Sequence, residues 1–306
     1  MIELNKAELP RSNPLTLFLL FWVALTLGCA PVANAPSVVP ETPPQRIIST
    51  LPSITEVLFD IGLGDRIVGD SSYTKYPPEA LAHEKIDGSY GFNREKIITL
   101  KPDLLILSVE NEPLRQSLSV PILVVDHRMF EGVIDSYSII GEVFGADVLN
   151  VALKKRQELL DKLHAFATRQ EGKKPIRTLI CIDRSRGTGQ IQNLFVAGND
   201  SFLSGVVTRA GGENVAASMG LLAPTLSTEG IIHLAPDVII DIQISGMDGE
   251  RGVSDWQSLG DRVPAVKHRR ILTLTDDFAS IPGPRTPLLL EKIVRYFETF
   301  EEQRSP

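Results

Sequence analysis

The sequence predicts an α/β protein made of two similar lobes joined by one long helix. Three observations predict it. Short apolar runs alternate with helical patterns through the body of the chain, as parallel strands with crossover helices do. The stretch NREKIITLKPDLLIL at residues 93–107 returns as STEGIIHLAPDVIID at residues 227–241, with Glu95 matching Glu229 and Pro102-Asp103 matching Pro236-Asp237. Between the copies, residues 146–170 carry a long amphipathic pattern, apolar at Leu149, Leu153, Leu160, Leu163 and Phe166.

In chain order, RIIST (46–50) reads as a strand. Residues 53–64 read as a helix that Ser53 can cap and Gly62 or Gly64 can end. RIVG (66–69) is a strand, NREKIITL (93–100) a short helix capped by Asn93, and DLLIL (103–107) a strand. Residues 112–118 read as helical and PILVV (121–125) as a strand. Residues 131–145 form a helix broken at Gly145, and the 146–170 helix follows. Alternation then restarts, with strands at 177–183, 194–198, 237–242 and 271–275 and helices at 201–212, 227–234 and 285–300. The helix, glycine break and short strand before residue 93 resemble GVVTRAGGENVA before residue 227, so the lobes read as copies of one unit.

Glu95 and Glu229 fall in the first turns of their helices, where carboxylates complement the helix dipole by about 0.3–1 kcal/mol and Asn93 and Ser227 supply caps. That accounts for each helix but not for the same residue twice. Two lobes presenting an acid at one equivalent spot can dock on a symmetric basic partner. A catalytic carboxylate pair needs both acids in one pocket, and the repeat assigns them to separate lobes.

A net charge of −7, with no basic cluster interleaved with aromatics, excludes nucleic acid as an expected partner. Cys29 and Cys181 have no metal-site spacing, and the five histidines are scattered. No phosphate loop or nucleophile elbow occurs. LTLFLLFWVALTLGC (15–29) has the length of a signal-peptide apolar region, and Gly28-Cys29 resembles a lipobox with Cys29 as the lipidated residue. Residues 30–45 are rich in proline, small and nearly uncharged, which suits a tether. The expected organisation is a lipoprotein signal peptide (1–28), a tether (29–45), an N-terminal α/β lobe (46–142), a linking helix (143–172) and a C-terminal α/β lobe (173–306).

RIISTLPSITEVLFDIGLGDRIVG, SSYTKYPPEA, NREKIITLKPDLLIL, AGNDSFLSGVVTRAGGENVA, LSTEGIIHLAPDVII and PGPR together resemble the periplasmic binding proteins of ABC importers for cobalamin, iron-siderophores and haem, over about residues 46 to 300. The resemblance implies two Rossmann-like lobes joined by one backbone helix, the class III periplasmic binding protein fold, in a monomer without enzymatic activity or resident cofactor. The metal would arrive within a cobalt or iron chelate. A glutamate from each lobe would meet the permease, here Glu95 and Glu229. Tyr73 matches a cleft tyrosine of the cobalamin binders, and Asp277 with Phe278 matches an acidic cleft loop. The tryptophans usual in cobalamin clefts are missing from DGSYGFN (87–93) and MGLLAPTLS (219–227), and Trp256 reads as packing. Tyr90 is a further ligand candidate and can be a haem-iron ligand. Arg128, Arg184 and Arg186 can bind an anionic siderophore or haem propionates, because guanidinium pairs with carboxylates bidentately. Cobalamin or a corrinoid is the first expected ligand and an iron-siderophore or haem the second. A metallochelatase-like enzyme and a histidine-rich zinc or manganese receptor are the weaker rivals.

Overall fold

A computed structural model describes residues 42–88, 91–111, 118–220, 222–243 and 251–302. The N-terminal lobe begins with β1 (Ile47–Ser49), α1 (Pro52–Asp60) and β2 (Ile67–Asp70). Three two-residue strands follow: β3 (Glu84–Lys85), β4 (Asp87–Gly88) and β5 (Gly91–Phe92). Then come α2 (Arg94–Thr99), β6 (Leu104–Ser108), β7 (Ile122–Val125) and α3 (Phe130–Phe144). The linking helix is α4 (Ala146–Gln170). The C-terminal lobe has β8 (Ile176–Ser185), β9 (Gln192–Val196), α5 (Phe202–Arg209), β10 (Gly212–Asn214) and α6 (Thr228–Leu234). It continues through β11 (Val238–Ile242), α7 (Arg251–Trp256), α8 (Pro264–Lys267), β12 (Ile271–Leu274) and α9 (Thr286–Glu302).

One sheet has the order β3-β2-β1-β6-β7, with every pair parallel. The other has the order β10-β8-β11-β12, also parallel, with β9 antiparallel to the second half of β8. The shared part is one topology twice: β2-β1-β6-β7 in one lobe and β10-β8-β11-β12 in the other. Helices cover parallel sheets on both faces, so central strands are largely apolar. β6 and β11 are buried along their whole lengths.

The repeated Leu-X-Pro-Asp has a structural reason. Each helix before it ends in a non-glycine residue with left-handed backbone, Lys101 (φ 47°) and Ala235 (φ 42°). An arginine at the start of each central strand, Arg46 just before β1 and Arg177 second in β8, donates to the leucine at the helix end, Arg46 Nη2 to Leu100 O and Arg177 Nη2 to Leu234 O, both at 2.6 Å. The aspartate then starts the next strand, with Asp103 N donating to Arg46 O and Asp237 N to Arg177 O. Two copies thus hold helix end to strand start with the same bonds.

Gly145, at φ 90°, turns α3 into α4. The two helices approach so closely that a Cβ on Gly141 would lie 3.0 Å from Leu149 Cα. Tyr137 on α3 donates to Asp60 of α1 at 2.8 Å. A single buried apolar cluster runs from Ile47 and Ile106 through Tyr137, Ala152 and Leu163 to Ile240 and Phe297, so α4 joins the two lobe cores.

Several expectations are corrected. Ser53 does not cap α1: Leu51 is the N-cap without a side-chain bond, and Pro52 opens the helix. The strand expected at 194–198 is an antiparallel hairpin partner, not part of the parallel series. Leu153 faces solvent, while Ala152 and Leu159 take the buried positions of α4. The helix expected at 112–118 falls, except for its last residue, outside the described residues.

Left-handed backbone costs an L-residue free energy that glycine does not incur. Ala235→Gly should therefore stabilise the protein by about 1 kcal/mol and raise its melting temperature by roughly 2 °C, measured by calorimetry. An unchanged or lower temperature would mean that the turn at Ala235 carries no strain.

Candidate functional site

Parallel α/β sheets place ligand sites at the carboxyl ends of their strands. Here both sheets do so around one cleft of about 810 Å³. The N-terminal lobe contributes Thr50 after β1, Ser71 after β2, Ser108 at the end of β6, and His127 and Arg128 after β7. The C-terminal lobe contributes Ile182 from β8, Ile242 from β11 and Asp277 after β12. Apolar walls come from Leu51 and Phe92 on one side and Phe202, Leu203 and Leu222 on the other.

Arg285 closes one end of this arrangement. Its guanidinium is bidentate to Glu56 of α1 (3.0 and 2.6 Å) and bidentate to Asp277 (2.8 and 3.0 Å). It lies over the rings of Tyr76 (4.2 Å) and Phe278 (5.6 Å). Burial works against the guanidinium charge, but the two carboxylates outweigh it and raise the Arg285 pKa. The hydrogen bond from Arg285 lowers the Asp277 pKa against burial. Glu56 is buried deeply enough that desolvation raises its pKa despite Arg285.

Tyr73 lines the cleft and is 74% exposed, so its ring is available at the rim. Arg128 also lines the cleft, but Asp126 already holds it through Nε (2.9 Å) and Nη2 (2.6 Å). Asp277 faces the cleft, whereas Phe278 packs against the core beside it. Arg184 is drawn away from the cleft. It is buried in the C-terminal lobe between Asp241 (2.9 Å) and Asp255 (2.8 Å), with its guanidinium 5.1 Å from the Trp256 ring centre. Arg186 donates to Ile242 O at 2.9 Å and is not among the cleft-lining residues. The physical reason is shared: the C-terminal lobe has its own carboxylates and carbonyls for these guanidiniums. Trp256 is fully buried and donates to Asp241, a packing role. Tyr90 and Cys29 lie outside the described residues.

Sequence reasoning missed His127, Ser53 and Lys75 as cleft residues. The available signal was position, since His127 stands two residues after the apolar run of β7, at its carboxyl end. Among the described residues the charges on the lining are two cations, Lys75 and Arg128, and three carboxylates, Asp87, Glu110 and Asp277. Asp87 accepts from the Ser72 N–H and the Ser71 hydroxyl.

Glu95 and Glu229 are both exposed. Asn93 Oδ1 accepts from Lys96 N at 3.0 Å, and Ser227 Oγ accepts from Gly230 N at 3.1 Å, so both helices start on the expected caps. Each helix feeds a parallel strand, which brings its N-terminus to the carboxyl edge of its sheet, the edge that bears the cleft.

Two parallel-sheet lobes, a linking helix and a cleft between strand carboxyl ends define a two-lobed solute-binding protein. The chain belongs to the periplasmic binding protein family, whose model matches residues 47–278. It is similar to the vitamin B12-binding protein of Vibrio cholerae, 26% identical over 283 residues, 90% of this chain and 98% of that one. It is also similar to the uncharacterized ABC transporter substrate-binding lipoprotein YvrC of Bacillus subtilis, 29% identical over 275 residues, 85% of this chain and 82% of that one. The crystal structure of the periplasmic vitamin B12 binding protein BtuF of Vibrio cholerae has a TM-score of 0.70 at 26% identity, over 84% of this chain and 98% of that one. The protein is thus an extracytoplasmic solute-binding protein of an ABC importer, with a small-molecule ligand and a permease partner, and not an enzyme.

Removing one partner of a buried ion pair leaves an uncompensated charge and costs about 3–5 kcal/mol. Arg285→Met should lose stability on that scale near neutral pH, measured by urea unfolding. Unpaired, Glu56 would titrate above its unfolded value, so the deficit should shrink as pH falls toward the acid range. A variant within about 1 kcal/mol of the parent would show that the lobes do not depend on this pair.

Proposed function

We propose that this protein is a lipid-anchored carrier that captures a corrinoid, cobalamin in the first instance, and delivers it to an ABC permease. The carrying observation is the charge state of the cleft. Among the described residues, Arg184 and Arg186 bond within the C-terminal lobe and Arg128 is bidentate to Asp126. A propionate or other anionic arm would have to displace Asp126 or meet a lining in which carboxylates outnumber cations. A corrinoid asks for something else: apolar walls for the macrocycle, and hydroxyls and carboxylates for its peripheral amides. Leu51, Phe92, Phe202 and Leu222 are the apolar side of that match, and Ser71, Ser108, Asp87 and Glu110 the polar side. Tyr73, Arg128 and Asp277 are the proposed contacts that the sequence suggests, and Tyr90 is proposed from the sequence alone.

Purified protein should bind cyanocobalamin saturably, one to one, without turnover, by calorimetric titration. Haemin and ferric siderophores are the competing ligands in the same experiment. Tight binding of either with none of cyanocobalamin would replace the corrinoid reading.

Glu95 and Glu229 are the proposed docking carboxylates, exposed at equivalent helix starts on the cleft-bearing edges. Cys29 is the proposed lipid attachment site, with residues 30–45 as tether. Reversing both glutamates to lysine should lower transport in cells by about tenfold or more, a loss of about 1.4 kcal/mol, while leaving ligand affinity intact. In the same cells, Cys29→Ser should move the protein from membrane to soluble fractions. Loss of affinity in the glutamate variant would place those residues in ligand binding instead, and membrane retention of the serine variant would remove the lipid anchor.

A further inference from the structure

We infer that the imidazole of His127 is a ligand contact in the cleft, hydrogen-bonding through Nε2 to an uncharged carboxamide of the bound chelate. This rests on the corrinoid reading and adds to it a specific polar group. His127 follows β7 and lines the cleft, yet its side chain is almost wholly enclosed at 3% exposure. Nδ1 lies 2.9 Å from Ser53 Oγ, which fixes the ring. Ser53 lines the same cleft and is free for this bond because it does not cap α1. Nε2 has no hydrogen-bond partner among the described residues. A buried polar atom left unpaired is destabilising, and Nε2, enclosed just behind the cleft lining, gains a partner when the lining shifts to admit the ligand.

The chemistry of the partner follows from the surroundings. Burial lowers the His127 pKa to about 4, and Asp126 opposes this only in part, so the ring is neutral near pH 7. Asp126 is itself committed to Arg128. Glu110, Lys75 and Asp277 line the cleft from other elements, and no ion pair joins any of them to the imidazole among the described residues. When the Ser53 hydroxyl donates to Nδ1, the ring proton sits on Nε2, which is then a donor; when the hydroxyl accepts from Nδ1–H, Nε2 is the acceptor. A carboxamide offers both functions and suits either tautomer. A carboxylate would instead draw a proton onto the ring and make binding proton-linked.

The test is calorimetric titration with cyanocobalamin of the parent protein, His127→Phe and His127→Gln, at about pH 5.5 and about pH 7.5, with melting temperatures measured alongside. His127→Phe should bind about tenfold more weakly, and His127→Gln, which keeps a hydrogen-bonding amide, should stay within about threefold. The parent should take up no proton on binding at either pH. Parent-like affinity in His127→Phe, or proton uptake that this variant abolishes, would overturn the contact while the corrinoid reading stood. If His127→Phe does not fold, Ser53→Ala should weaken binding about threefold or more at unchanged melting temperature, and unchanged affinity there overturns the contact. A parent protein that does not bind cyanocobalamin overturns the corrinoid reading, and the contact with it.

Discussion

The guanidinium of Arg285, shared between Glu56 and Asp277, is the interaction on which the cleft depends. Glu56 stands on α1, whose first residues form the cleft wall, and Asp277 lines the cleft after the last strand. One buried charge therefore fixes both sides of the site, with four hydrogen bonds and two aromatic rings around it. A second link between the lobes, Arg209 to Glu131 at 3.0 Å, is far more exposed and belongs to the class of surface pairs worth about 0–1 kcal/mol. The apolar cluster that passes through α4 works in the same direction as the buried pair. Large hinge motion would expose that cluster, so both the cluster and the buried pair oppose it.

The repeated topology explains why the two exposed glutamates and the cleft share one edge of each sheet. In each lobe an arginine at the start of the central strand holds the end of the short helix, and a left-handed residue turns the chain into the next strand. The same bonds that set the helix against the sheet also carry its N-terminal glutamate to the carboxyl edge. Glu95 and Glu229 are thus equivalent because their supports are equivalent, not because the two carboxylates meet. The helix dipole stabilises each carboxylate locally. The duplication supplies what the dipole cannot, a matched pair across two lobes.

Most of the fold was legible in the sequence because its signals are local. Ile47, Ile106 and Ile240 sit in continuous apolar runs, and Asn93, Ser227 and Gly145 mark ends by their own chemistry. The failures share a cause in distant partners. β9 reads as one more strand of the series, and only its pairing with β8 shows it to be antiparallel. Arg184 looked available until folding brought Asp241 and Asp255 to it from 57 and 71 residues away. His127 looked like an isolated histidine because Ser53 lies 74 residues away, and the Arg285 pair with Glu56 spans 229. Side-chain availability is a property of the assembled lobes.

That availability sets what the cleft can select. Arg128 is satisfied by Asp126 two residues away, so its charge is spent before any ligand arrives. Arg285 and Asp277 cancel each other in the same way. His127 is kept neutral by burial, and the hydroxyls of Ser53, Ser71 and Ser108 add polarity without charge. Among the described residues an anionic arm meets Lys75, with Asp87 and Glu110 on the same lining, and elsewhere would have to break bidentate pairs. On the proposed corrinoid reading, a large neutral chelate gains burial against Leu51, Phe92, Phe202 and Leu222 and finds partners for its amides at the strand ends. The metal inside such a chelate is already coordinated, so the protein can recognise the cargo by its organic periphery and leave the metal to the chelate itself.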